Sequence, residues 1–206
     1  MLREYILMSD AVLPQIPSGN THELTKKLPG DLAMWFFILA ELTVFAIFFI
    51  GFAISEQLNE QMYAQSKQQL HPLAGLINTI ALITSSLFVA LAVGALKRND
   101  NKLTQQWLLT ANLFAVIYLF VKGWEYQSLF AQGIDIETNT FFTLYFLITL
   151  FHFMHVLLGM VILIYMMTKV SSGYYKNNVS GFEAGACYWH MVDMLWIILF
   201  PLIYVI

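Results

Sequence analysis

Residues 32–54 read LAMWFFILAELTVFAIFFIGFAI, a stretch in which Glu41 is the only charged residue. A helix needs about 20 predominantly apolar residues to cross the roughly 30 Å of hydrocarbon in a bilayer. The stretch therefore predicts a transmembrane helix, and it sets the class of fold in which the rest of the chain is interpreted.

Four more apolar stretches of similar length follow, at about residues 73–96, 107–130, 141–168 and 184–206. Hydrophobic residues make up 59% of the chain and charged residues only 11%, whereas charged residues make up about 25% of a typical soluble domain. The sequence predicts an all-α, polytopic membrane protein with five transmembrane helices in a bundle.

The basic residues between the spans predict how the bundle is oriented, because short cytoplasmic loops carry an excess of Lys and Arg. Eight basic residues fall on the side of the N-terminus, namely Arg3, Lys26, Lys27, Lys97, Arg98, Lys102, Lys169 and Lys176. Lys67 is the only one in the loops of the other side. We expect a cytoplasmic N-terminus and an outer C-terminus, with residues 1–28 as a cytoplasmic lead-in and residues 29–206 as the membrane domain.

Several classes of function are disfavoured by the composition. The ten basic residues form no cluster, which argues against nucleic-acid binding. A single cysteine, Cys187, excludes an internal disulfide. We expect no cleavable signal peptide, since the apolar segments near the N-terminus are short and interrupted.

Ionisable side chains inside a bilayer are costly, so each one is a functional hypothesis. The spans contain Glu41, Lys122, Glu125, His152, His155, His190 and Asp193. Glu41 lies about nine residues into the first span, which at 1.5 Å per residue places it roughly 14 Å deep. Its carboxyl group predicts either proton exchange or a neutral hydrogen bond to another helix.

The other ionisable residues come in pairs that are three apart and so share a helical face. Lys122 and Glu125 predict a local ion pair, which favours a structural role. His152 and His155 could hold one metal ion, as imidazole is a common ligand. We expect no metal site, however, and interpret these side chains, with the pair His190 and Asp193, as contacts between helices.

Trp189 and Trp196 are seven residues apart and share a helical face with Asp193. An aromatic surface between helices, or between a helix and lipid, is one interpretation. The alternative is a lipid headgroup held by tryptophan, histidine and a charged partner.

Four motifs together resemble the cytochrome c oxidase subunit III family, and they occur in the family's order. They are AELTVFAIFF at residues 40–49, Glu125-Tyr126 after Lys122, HFMHVLLG at residues 152–159, and YWHMVDMLW at residues 188–196 followed by Tyr204. The resemblance covers about residues 29–206. The long form of the family has two further N-terminal helices, which this chain is expected to lack.

The short, five-helix form resembles subunit III of ubiquinol oxidases and the subunit-III-like proteins encoded with bacterial nitric oxide reductases. The opening Leu28-Pro-Gly30, the segment 122–126 and the closing segment 190–201 favour the second of these.

The resemblance implies a non-catalytic accessory subunit of a respiratory complex, in a bacterial inner membrane, that supports assembly, lipid binding and proton uptake. Haem and copper or iron would reside in partner subunits, above all the catalytic haem-bearing subunit, while this chain would bind phospholipid. Glu41 would be the buried, proton-related carboxyl group. The inter-helix or lipid contacts would be Lys122, Glu125, His152, His155, Trp189, His190, Asp193 and Trp196.

Two other classes of function remain open from the residues. One is a stand-alone proton-coupled transporter that uses Glu41 and Asp193, although we see neither the inverted repeat nor the broken helices typical of such proteins. The other is a membrane haem or metal enzyme that uses His152, His155 and His190 with one of those two carboxylates.

Overall fold

The structure, a computed structural model, describes residues 32–176 and 179–205, so the predicted lead-in of residues 1–28 lies outside the described residues. The described part contains α-helices and one short 3₁₀ turn, at Tyr174–Lys176, and no strand. The helices are α1 (Leu32–Leu58), α2 (Glu60–Lys67), α3 (Pro72–Lys97), α4 (Asn101–Ala131), α5 (Thr140–Ser171) and α6 (Ser180–Tyr204).

Five of these helices are long and apolar enough to cross a membrane, and they correspond to the five predicted spans. The all-α, polytopic fold is therefore confirmed. Which end of the chain faces the cytoplasm stays a prediction.

Helix α2 lies in the connection between the first two spans, where the sequence predicts no membrane-spanning segment. Glu60 in its first turn and Lys67 in its last turn complement the helix dipole, and Lys67 also pairs with Glu56 of α1. Tyr63 anchors α2, since its buried ring lies 5.2 Å from that of Phe52 and 5.1 Å from that of Phe141, measured between centroids.

The four C-terminal spans form a closed ring in which each packs against two neighbours. Helix α3 packs most extensively against α4, α4 against α5, α5 against α6, and α6 returns to α3. Helix α1 lies outside this ring, against α5 and α6. Its buried seam is narrow and consists of Ile38, Phe45 and Phe52 at seven-residue spacing.

A tight turn follows α3 and leads into α4, and a similar turn follows the end of α4. After each helix a residue in the left-handed region, Asn99 (φ 59°) or Gly133 (φ 76°), lets the chain reverse. The amide of the next residue then bonds back to the helix, as from Ile134 N–H to the Leu129 carbonyl at 3.0 Å. Asp100 caps the start of α4 by accepting from the Leu103 amide at 3.0 Å.

Helices α5 and α6 pack closely together at a glycine of α5, Gly159. A Cβ atom built on Gly159 would lie 2.7 Å from Cε3 of the Trp189 indole, a distance that real Cβ contacts do not reach. Because the glycine has no side chain, the indole packs directly on the backbone of α5. This contact fixes the relative position of the two helices that carry most of the polar side chains of the bundle.

Candidate functional sites within the helix bundle

A buried ion pair on α4 is the centre of the first polar cluster. Lys122 Nζ lies 2.9 Å from Glu125 Oε2, and neither side chain has any solvent exposure. Lys122 also donates to the hydroxyl oxygens of Tyr145, at 3.0 Å, and Tyr204, at 2.8 Å. All three donors of the ammonium group are therefore used.

Tyr204 completes the cluster from the end of α6. Its hydroxyl lies 2.9 Å and 2.8 Å from the two carboxylate oxygens of Glu125 and donates its single proton to this carboxylate. The ammonium group of Lys122 also lies 4.7 Å from the ring centroid of Tyr145, close enough for a cation–π interaction. The cluster joins α4, α5 and α6 and satisfies its own charges, which suits a structural clamp.

The second polar cluster joins α1 to α5. Glu41 lies on the narrow seam of α1, between Ile38 and Phe45, and its Oε2 is 3.0 Å from Nε2 of His155. The other ring nitrogen of His155 lies 2.8 Å from the Phe151 carbonyl oxygen, which can only accept.

The hydrogen bonds of His155 fix how many protons this pair holds. Its Nδ1 must carry a proton to donate to the carbonyl, so the bond from Nε2 to Glu41 needs one more proton, on either partner. The pair is then neutral overall, as carboxylic acid with imidazole or as carboxylate with imidazolium. It can pass a proton between its partners without changing its net charge.

The third polar cluster joins α6 to α3. His190 Nδ1 lies 2.6 Å from the hydroxyl oxygen of Ser86, and Asp193 follows His190 by three residues on the same helix. The Oδ1 atom of Asp193 is buried and has no hydrogen-bond partner among the described residues.

His152, in contrast, lies in the middle of the ring of helices and faces aromatic side chains. Its residue exposure is 0%, and its ring is surrounded by Phe45, Tyr118 and Trp196, with centroid distances of 6.2, 5.8 and 5.2 Å. Neither of its ring nitrogens has a hydrogen-bond partner among the described residues.

The two tryptophans of the predicted aromatic face are both buried between helices, Trp189 against Gly159 and Trp196 against Tyr118. The indole N–H of Trp196 donates to the hydroxyl of Thr79 on α3 at 3.0 Å.

The structure does not bring the three histidines of the spans together. His155 faces α1, His190 faces α3, and His152 faces the rings between them. Within residues 32–176 and 179–205 there is no group of three or more His, Cys, Asp or Glu side chains placed to hold a metal ion. The arrangement gives the metal-enzyme alternative no site among these residues.

Sequence reasoning missed the hydroxyl partners that complete these clusters. Tyr145 bonds the Lys122 ammonium from another helix, and Thr149 accepts from the hydroxyl of Tyr126 at 2.9 Å. Each of these residues lies in an apolar span that carries few polar groups. A hydroxyl inside such a span is a weak signal for a contact between helices, but it does not say which helix holds the partner.

The fold and its polar clusters define a class: a multi-pass membrane bundle whose ionisable residues bond one another across helices. The family model described as "Cytochrome c oxidase subunit III" matches residues 9–206. The chain belongs to the cytochrome c oxidase subunit III family, and the resemblance drawn from the four motifs is confirmed.

Relatives from bacteria and archaea cover most of the chain. "Cytochrome c oxidase subunit 3" of Synechocystis is 29% identical over 181 residues, which are 85% of this chain and 76% of the relative. "Cytochrome bo(3) ubiquinol oxidase subunit 3" of Buchnera aphidicola is 23% identical over 192 residues, or 91% of each chain. "Heme-copper oxidase subunit I+III" of Aeropyrum pernix is 30% identical over 181 residues, and there the chain spans only 22% of the relative's length.

Proposed function

We propose that this chain is the non-catalytic third subunit of a membrane haem–copper oxidase, and that it packs beside a catalytic subunit that holds haem and copper. The observation that carries the proposal is the family match over residues 9–206. The Aeropyrum relative, whose name joins subunits I and III in one chain, supports a direct contact between this chain and the catalytic subunit.

The names of the relatives also bear on the electron donor and the electron acceptor of the complex. The relatives named above are cytochrome c and ubiquinol oxidase subunits, which favours oxygen as the acceptor. The association with a nitric oxide reductase that the motifs suggested stays a prediction. The bacterial relatives support a location in the cytoplasmic membrane of a bacterium.

Phospholipid binding is the second part of the proposal. A cavity of about 450 Å³ lies between α1, α5 and α6, lined by apolar and aromatic side chains that include Phe37, Met166 and Tyr188. Tyr165 and Tyr174 line the same cavity, and Lys169 lies 5.4 Å and 5.1 Å from their ring centroids. Aromatic and basic residues near the end of a span suit the level of the lipid headgroups, so an acyl chain would occupy the cavity below them.

Glu41 is the proton-related residue of the proposal, acting together with His155. The Glu41 side chain is 20% exposed and that of His155 is 9% exposed, so the pair lies at the edge of the bundle rather than at its centre. A proton that arrives at this edge while another leaves the pair is relayed without leaving a net charge in the membrane. This would support proton uptake by the assembled complex.

The subunit proposal is tested by purifying the tagged chain in a mild detergent from cells that make the complete complex. We expect a haem-bearing oxidase subunit to accompany it, identified by mass spectrometry and by the haem absorption spectrum. Purification of the chain alone, or with a haem spectrum that belongs to the isolated chain, would overturn the proposal.

The role of Glu41 is tested in the same complex by Glu41→Gln. We expect normal assembly and a faster loss of proton uptake during sustained turnover. Glu60→Gln is the matched control, because it makes the same chemical change at an exposed residue of α2. Equal behaviour of both variants would remove Glu41 from the proposal, and complete loss of catalysis on assembly would assign it a more direct role.

A further inference from the structure

A cavity of about 270 Å³ lies between α3 and α6, separate from the cavity beside α1. Lys97 and Glu183 line one end of it, in the terminal turns of the two helices, with their charged atoms 2.7 Å apart. His190 also lines the cavity. It follows Glu183 by seven residues on α6, which at 1.5 Å per residue places it about 10 Å deeper. The cavity therefore leads from a charged end of two spans to an imidazole inside the membrane.

Small side chains between these two polar ends leave the space open. Ala90 of α3 and Ala186 and Cys187 of α6 line it, and a Cβ atom built on Gly94 would meet nothing within 4 Å. A water molecule needs roughly 10–15 Å³ of cavity volume, so the cavity has room for several.

His190 uses one ring nitrogen for a contact with α3 and leaves the other available. Its Nδ1 lies 2.6 Å from the hydroxyl oxygen of Ser86. Its Nε2 forms no hydrogen bond within the described residues, and it is not one of the fully buried atoms that lack a partner there. Since His190 lines the cavity, Nε2 is reached from it. When Nδ1 donates to Ser86, Nε2 keeps a lone pair that can accept a proton.

The ionisable groups around the cavity balance one another. Lys97 is the only ionisable residue within α3, and its ion pair with Glu183 gives the entrance polar groups without a net charge that would repel a proton. On α6, Cys187 lies between Glu183 and His190, and Asp193 follows His190 by one turn on the same face. A carboxylate at that position offsets the charge of a protonated imidazole.

We propose that water fills the cavity between α3 and α6 and that His190 binds a proton there at Nε2. The proton comes from water at the end formed by Lys97 and Glu183, and it returns the same way. Ser86 is a positioning residue, because its oxygen accepts from Nδ1 whether or not Nε2 is protonated. The site is distinct from the Glu41–His155 pair, and it does not depend on which complex the chain joins, since it lies entirely within this chain.

The water content of the cavity is tested through Cys187, the only cysteine of the chain. The full chain in lipid nanodiscs is treated with a thiol reagent that carries a fixed quaternary ammonium charge. The matched control combines Val161→Cys with Cys187→Ala. It moves the thiol to a residue of α5 that is 61% exposed, at a similar depth because the neighbouring Ile162 contacts Gly185. We expect the unmodified chain to react at least about tenfold faster, since charged groups are disfavoured in hydrocarbon.

Proton binding is tested by solid-state NMR of the chain in the same lipid with ¹⁵N-labelled histidine, with the His190 signals assigned from a His190→Gln variant. Histidine side chains ordinarily titrate between about pH 8 and pH 5. Over this range we expect Nε2 of His190 to change from an unprotonated to a protonated nitrogen, while Nδ1 stays protonated. Ser86→Ala should let the neutral ring adopt both tautomers. Thr84→Val is the matched control, because it removes a hydroxyl of the same helix that donates to the Ile80 carbonyl instead, and it should leave the tautomer unchanged.

Three results would overturn the proposal. One is a reaction at Cys187 no faster than that of the Val161→Cys control, which would indicate that lipid rather than water fills the cavity. Another is an Nε2 signal of His190 that does not change over the pH range, or a proton taken up at Nδ1 instead. The last is an equal effect of Ser86→Ala and Thr84→Val on the tautomer, which would remove Ser86 from its positioning role.

Discussion

Replacing Lys122 with methionine should destabilise the bundle strongly, because the substitution leaves a buried carboxylate without its counter-charge. Lys122 and Glu125 are both fully buried and lie 2.9 Å apart. Coulomb's law with an effective dielectric constant of about 20 gives roughly 6 kcal/mol at this separation. Part of that energy offsets the cost of taking both charges out of water.

The expected cost follows from the partner that remains. Removing one member of a buried, hydrogen-bonded ion pair costs about 3–5 kcal/mol, equivalent to a shift of roughly 100-fold to 4,000-fold in the folding equilibrium. Lys122→Met combined with Glu125→Leu should recover most of this loss, because apolar replacement of a whole pair is often neutral. Tyr145 and Tyr204 can then bond each other, since both hydroxyls lie within 3.0 Å of the Lys122 ammonium nitrogen that the substitution removes.

The measurement is reversible unfolding in mixed micelles, analysed as a double-mutant cycle. Lys97→Met is the matched control. It breaks the pair between Lys97 and Glu183, which lies 2.7 Å apart at the end of two spans with side chains 56% and 20% exposed, and it should cost only about 0–1 kcal/mol. The reasoning is refuted if Lys122→Met costs no more than this control, or if the double variant is no more stable than the single one.

Five other substitutions test the packing of α5 on α6, the Glu41–His155 pair and the turn after α4. Gly159→Ala should lower the free energy of unfolding by about 1–3 kcal/mol, because its Cβ would meet an indole at 2.7 Å. Gly94→Ala should not destabilise the bundle, because a Cβ there meets nothing within 4 Å. Thermal unfolding of the two variants measures the difference. The stability of Glu41→Gln should stay within about 1 kcal/mol of that of the unmodified chain, since an amide can still donate to His155. Glu41→Leu should cost about 1–3 kcal/mol, because it leaves His155 without this partner. Equal losses of stability in chemical unfolding would contradict the hydrogen bond between Glu41 and His155. Gly133→Ala should cost about 1–2 kcal/mol at its φ of 76°, and an unchanged unfolding midpoint would argue against that turn.

The five spans could be predicted from sequence because each contains about 20 apolar residues in an unbroken run. Helix α2 could not. Its eight residues have no apolar face of useful length, and its position depends on Tyr63 packing against Phe52 and Phe141. That contact joins parts of the chain far apart in sequence, and hydropathy carries no information about it.

In the polar clusters, too, the contacts within one helix could be predicted from the sequence, and those between helices could not. The pairing of Lys122 with Glu125 follows from three-residue spacing on one helix. The bonds from Glu41 to His155 and from Lys122 to Tyr204 span 114 and 82 residues, and they exist only once the helices are packed. Sequence motifs identified the family, but they did not say which helix each polar side chain faces.

The narrow seam of α1 has a consequence for biosynthesis. Glu41 enters the membrane with the first span, but its partner His155 follows 114 residues later. At a synthesis rate of about 5–20 residues per second, the carboxyl group waits roughly 6 to 23 seconds for that partner. During this interval α1 has neither α5 nor α6 to pack against. The insertion machinery or lipid must therefore contact this helix and its acidic residue until the finished bundle stabilises them.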